Sequence, residues 1–204
     1  MQLALAGAAA VAAVLLISAR RRSMREDAPD AGACCPGAIV IMGPSGCGKS
    51  TLGGALAAQE GWPMIEGDDH HSPRNKAKMA RGEPLTENDR APFLDSIGRA
   101  IRDAAHPVVV SCSALRCAHR ERLRRYLRDI LFVWIDVPAD ELERRMRHRP
   151  GHFMPPSLLD DQLATLEPPA PPERFVRIDG TLPTADQVQT LLPYLRDCAK
   201  GTAR

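Results

Sequence analysis

Apolar residues cluster in five short runs, separated by stretches with helical composition. Ala38-Ile39-Val40-Ile41-Met42 is the first run and ends at a glycine. Such continuous Val/Ile-rich segments predict strands buried on both faces of a parallel sheet. The other predicted strands are Pro63–Glu66, Val108–Val110, Leu131–Val137 and Phe175–Ile178. Between them, helices are predicted over Thr51–Gln59, Pro73–Ala80, Pro92–Ala104, Ala118–Leu127 and Ala139–Arg147, with a last one over Thr184–Leu195. Pro92 is placed in a first turn, where its missing N–H costs nothing. Strands alternating with helices predict an α/β fold of three layers, a parallel five-stranded sheet with helices on both faces. Pro168 to Pro172 reads as a stiff surface connection.

The N-terminus has a different pattern. Leu3 to Ile17 carries no polar side chain, and Arg20-Arg21-Arg22 follows it. A bilayer span takes about 20 apolar residues, so this alanine-rich run is short for one. Its charge lies after the apolar run, opposite to a secretory signal. If it inserts, the arginines stay in the cytosol together with the rest of the chain. The readings are a dispensable extension with Met24 as the working start, a membrane anchor through residues 3–19, or an organelle-targeting segment. The resulting organisation is an extension over 1–23, a linker over 24–37, one domain over 38–198 with a lid near 144–160, and a tail over 199–204.

Composition narrows the class. Of 204 residues, 44% are hydrophobic and 25% charged, which suits a globular domain. A net charge of +2 is too small for a protein built to neutralise many phosphates of nucleic acid. The arginine-rich segments also lack interleaved aromatics for base stacking. The six cysteines show no C-x-x-C spacing and read as free thiols of a reducing compartment.

The candidate chemistry begins where the first strand ends. Gly43-Pro44-Ser45-Gly46-Cys47-Gly48-Lys49-Ser50-Thr51 meets the pattern G-x-x-x-x-G-K-[ST], with a strand before it and a helix after it. Glycines let the backbone curl so that its N–H groups face a phosphate, and the following helix adds its positive dipole end. Lys49 supplies a point charge for the β and γ phosphates of ATP. The Ser50 hydroxyl suits Mg²⁺, a hard ion, with Asp68 contributing through water. The strand over Val108–Val110 runs into Ser111 with no aspartate at its end, so the metal depends more on Ser50 and Asp68.

Asp68 follows the second strand and so falls at the carboxyl edge of the sheet, where open α/β sheets bind ligands. A carboxylate there can take the proton of an acceptor hydroxyl. His71, Arg74, Asn75 and Lys78 follow at spacings that can share one face, and Arg90 and Arg116 add donors for a small polyhydroxy or anionic acceptor. Arg144, Arg145, Arg147, His148 and Arg149 precede the Gly/Pro segment Pro150 to Pro156. This suits a lid whose guanidinium groups neutralise charge on a transferred phosphoryl group.

The strings GPSGCGKST, GDDHHSPRNKAKMARGEPLTENDRAPF, CSALR, RHRPGHFM and LATLEPP together resemble the small, shikimate-kinase-like P-loop gluconokinases. The resemblance runs from about Ala38 to Leu195. It implies transfer of phosphate from ATP to the 6-hydroxyl of D-gluconate, in the cytoplasm and with Mg²⁺, by a family in which dimers are usual. It places Gly43 to Thr51 on the ATP phosphates and Asp68 beside the acceptor hydroxyl. His71, Arg74, Asn75, Lys78 and Arg90 match the acceptor segment. Arg145 and Arg149 match lid arginines, Gly151-His152-Phe153 the lid signature with His152 toward the acceptor, and Gln162 and Glu167 the segment after it. Departures are Arg116 for a usual lysine, Phe93 for tryptophan, and Asp161 and Leu163 for a small hydroxylated residue and Phe. The rival readings are a sister kinase for shikimate or a nucleoside monophosphate, and a membrane-tethered nucleotide-binding protein without catalysis.

Overall fold

A computed structural model describes residues 35–148 and 157–195. The extension, the segment from Arg149 to Pro156 with Arg149 and His152, and the C-terminal tail lie outside the described residues. The strands are β1 (Ala38–Met42), β2 (Met64–Glu66), β3 (Val108–Ser111), β4 (Ile130–Asp136) and β5 (Phe175–Asp179). They form one parallel sheet in the order β2-β3-β1-β4-β5. This is the expected α/β architecture. β1 is central and the chain visits both sides of it, which makes its carboxyl end the switch point where ligands bind.

The helices are α1 (Lys49–Glu60), α2 (Pro73–Ala80), α3 (Glu87–Asp103), α4 (Cys117–Arg124), α5 (Ala139–Arg147), α6 (Ser157–Thr165) and α7 (Thr184–Leu195). Strand side chains alternate between faces. Ile39, Ile41, Val109, Val133 and Ile178 pack on one side with Leu52 and Leu56 of α1 and Leu191 of α7. Val40, Met42, Val110 and Phe132 pack on the other with Leu94 and Ile97 of α3 and Leu123 of α4. Both faces are covered, so β1 is buried at all five positions.

Three elements differ from the sequence expectation. α1 begins at Lys49, so the motif residues form its first turn. α3 begins at Glu87, with Pro92 inside it. Thr86 and Asp89 form a reciprocal capping box there, each side chain accepting from the other's backbone N–H. That cap satisfies the first-turn donors and outweighs the signal of the proline. α6 was not expected from the pattern: it is a short helix flanked by Pro156 and the Pro168–Pro172 stretch.

Candidate active site

The loops at the carboxyl ends of β1, β2, β3 and β5 converge on one cleft of about 460 Å³. The β1–α1 loop forms its floor. Gly43, Gly46 and Gly48 have φ of 140°, 82° and 102°, a region open to glycine, and these angles curl the loop. A side chain at Gly43 would also meet Cys47 Sγ at 2.9 Å. Gly48 caps α1 without any side-chain bond, so the first N–H groups of a 12-residue helix face the loop with no side-chain acceptor at the cap. Lys49 Nζ donates to the carbonyls of Gly43 and Pro44, each at 3.0 Å. An ammonium held over uncapped helix donors is an anion site, and the residues fit a polyphosphate. Ser50 and Thr51 are exposed at its mouth.

Gly67 brings the acceptor side close. A Cβ there would lie 2.1 Å from the Ser111 carbonyl oxygen, so only glycine lets the turn after β2 pass the end of β3. Its N–H donates to Ser111 Oγ at 3.2 Å, and Ser111 Oγ in turn donates to the Glu66 carboxylate. The short 3₁₀ turn Gly67–His70 then presents Asp68 to the cleft. His71 lies flat on Phe93, with ring centroids 3.8 Å apart and an angle of 3°. Burial lowers the His71 imidazole from its ordinary value to about 4 against the opposing charge of Asp68, so the ring is neutral at pH 7.

Of the expected residues, Ser45 to Thr51, Asp68, His71, Arg90 and Arg145 line this cleft. Gly43 and Pro44, at the start of the loop, and Arg74, Asn75, Lys78 and Arg116 lie outside this lining. The last four correct the expectation of a single acceptor surface. Arg74 is exposed on α2. Asn75 is buried and donates to the Asp89 carbonyl at 2.9 Å. Lys78 pairs with Asp89 at 2.7 Å, and with Thr86 it holds the Asp89 carboxyl well below the usual carboxylate range. Arg116 turns to Glu87 at 3.6 Å. In each case a neighbouring polar group of α3 claims the side chain or, for Arg74, nothing draws it inward. Not all cysteines are free either: Cys35 is disulfide-bonded, while Cys47, Cys112 and Cys117 are free thiols. Burial pushes the Cys112 thiol up to about 12.

Several lining residues escaped the sequence reading. His119 is buried; its Nδ1 accepts from Arg116 N–H, so Nε2 carries the proton toward Glu87 Oε2 at 3.0 Å. Glu87 also receives Arg90 at 3.3 Å. The β5–α7 loop contributes Gly180, Leu182, Pro183 and Thr184. Arg145 Nη2 donates to Gly180 O at 2.8 Å and Nε to Glu141 at 2.7 Å, which joins α5 to that loop. Its place beside a carboxyl-end loop of the sheet is the signal that could have found these residues.

Phosphate floor, carboxylate wall and helix order define a P-loop kinase. A family model described as an AAA domain matches residues 39–169. The chain is 47% identical over 148 residues to the gluconokinase of Gluconobacter oxydans (strain 621H), covering 71% of this chain and 83% of that one. It is 40% identical over 170 residues to a probable gluconokinase of Mus musculus, covering 72% and 92%. The crystal structure of a gluconokinase from Sinorhizobium meliloti 1021 superposes with a TM-score of 0.71 at 45% identity, covering 82% and 94%. This chain belongs to the gluconokinase family of P-loop kinases.

Proposed function

We propose that the protein phosphorylates D-gluconate on its 6-hydroxyl with ATP. One observation carries this: the anion site at Lys49 and the group Asp68, His71 and Arg90 line the same cleft. Loop N–H groups and Lys49 would hold the phosphates and offset charge on the transferred group. Asp68 takes the proton of the attacking hydroxyl. Arg90 attracts the acceptor carboxylate, and neutral His71 donates or accepts a hydrogen bond without adding charge. Among the described residues no cluster of three metal-ligating side chains exists. Mg²⁺ would rest on Ser50, phosphate oxygens and, through water, Asp68, where it neutralises phosphate charge. Arg149 and His152 keep their expected lid roles in this reading. A cytoplasmic setting, with its ATP supply, suits this reading.

ADP release with a panel of acceptors tests the assignment. Turnover is expected with gluconate, and activity on shikimate or AMP but not gluconate overturns it.

A further inference from the structure

α6 sends two adjacent side chains into the cleft, and each reaches a different half. Gln162 Oε1 accepts from the Ser45 N–H at 2.7 Å, on the phosphate loop. Asp161 Oδ2 lies 3.9 Å from Arg90 Nη2, on the acceptor side. Successive helical residues point about 100° apart, so one helix can hold both partners at once. The helix is anchored on two sides by buried leucines. Leu158 packs with Met79 and Leu85 beside the acceptor segment, and Leu159 packs into the main core.

Neither contact is the strongest its donor can form. A carboxamide is neutral, whereas a phosphate oxygen accepts an N–H bond with charge assistance. Asp161 is 42% exposed and at 3.9 Å, so its hold on Arg90 is weaker than a bidentate carboxylate would have. An anionic ligand on either side therefore competes with an α6 side chain for its partner.

We propose that Asp161 and Gln162 are positioning residues that couple the nucleotide and acceptor halves of the cleft. This rests on the reading above, with ATP on the loop and an anionic acceptor at Arg90. A nucleotide phosphate that draws the Ser45 N–H away from Gln162 removes one hold on α6, which can then turn on its Leu158 and Leu159 anchors. Asp161 then leaves Arg90, whose Nη2 becomes available to the acceptor carboxylate while Nη1 stays with Glu87. Linkage makes the effect reciprocal, so the acceptor strengthens nucleotide binding by the same factor.

Calorimetry on the full chain tests this. Gluconate is titrated with and without a non-hydrolysable ATP analogue plus Mg²⁺, and the analogue with and without gluconate. Each ligand is expected to tighten the other about 5-fold or more, by equal factors. Gln162→Leu and Asp161→Asn should each bring that factor toward one. Asp161→Asn should also tighten gluconate in the absence of nucleotide, a change that mere loss of packing would not produce. Equal affinities with and without the second ligand overturn the coupling, as does full coupling retained in both variants. Gluconate that fails to bind under every condition removes the acceptor assignment and the coupling together, and is distinct from intact but independent binding.

Discussion

Lys49 stands over the phosphate floor with its ammonium shared between two loop carbonyls. Those carbonyls hold it in place before any phosphate competes for it, so the charge is preorganised where charge must be offset. Lys49→Met should lower kcat by about 100-fold or more, the scale of losing one preorganised donor. Melting temperature should change little, and single-turnover assays beside thermal melts check both. His71 carries a second residue-scale expectation. Its folded pKa, about 4, lies below the ordinary value of 6.5. Between these values the unfolded chain binds a proton that the folded chain does not. The neutral ring's contribution is thus complete above pH 6.5 and is lost as pH falls toward 4. His71→Phe keeps a flat ring against Phe93 and removes the titration. Its melting temperature should fall less steeply than that of the parent between pH 7 and pH 4.5.

At the scale of elements, α3 shows how one cap sets an acceptor wall. Thr86 and Asp89 begin the helix early enough that Arg90 and Phe93 face the cleft. Thr86→Ala should cost about 1 kcal/mol. For a chain of this size that is a fall of about 2–4 °C in melting temperature, measured by calorimetry. The strands were legible in the sequence because a covered parallel sheet demands unbroken apolar runs, as in Ala38–Met42. The phosphate loop was legible because its glycines and lysine answer to local geometry alone. Arg116 and Lys78 were not, because their charge is written in the sequence but their partners, Glu87 and Asp89, are fixed only once α3 packs beside them. The start of α3 was hidden by Pro92, whose helix-breaking tendency is weaker than the cap six residues before it. α6 carries no strong apolar period, and its fixed place comes from tertiary contacts of Leu158 and Leu159.

For the molecule as a whole, the cleft is held from behind by Arg120, which is 1% exposed. Its Nε and Nη2 donate to Glu173, both at 2.8 Å. Its Nη1 donates to the carbonyls of Ala114 and Glu167 at 3.2 and 2.9 Å. Among the described residues, Ala114 is the one other than glycine with positive φ, at 42°. Beside it, the Ser113 carbonyl accepts from the N–H of Gly43, the first residue of the phosphate loop. One guanidinium thus ties β3's exit, the segment after α6 and the approach to β5 to the nucleotide floor. Burial raises the Glu173 carboxyl, but Arg120 outweighs it and leaves that group below its ordinary value. Arg120→Met removes the charge and leaves the carboxylate with Arg124, at 3.2 Å, as its partner cation. The expected cost is about 3–5 kcal/mol, read as a lower urea midpoint at unchanged slope. Adding Glu173→Leu removes that carboxylate and should restore part of that loss, because an apolar pair can replace a buried ion pair. It should not restore all of it, since the carbonyls of Ala114 and Glu167 still lack their donor. A double variant as unstable as Arg120→Met alone would show that the carbonyl clamp, and not the ion pair, carries the stability.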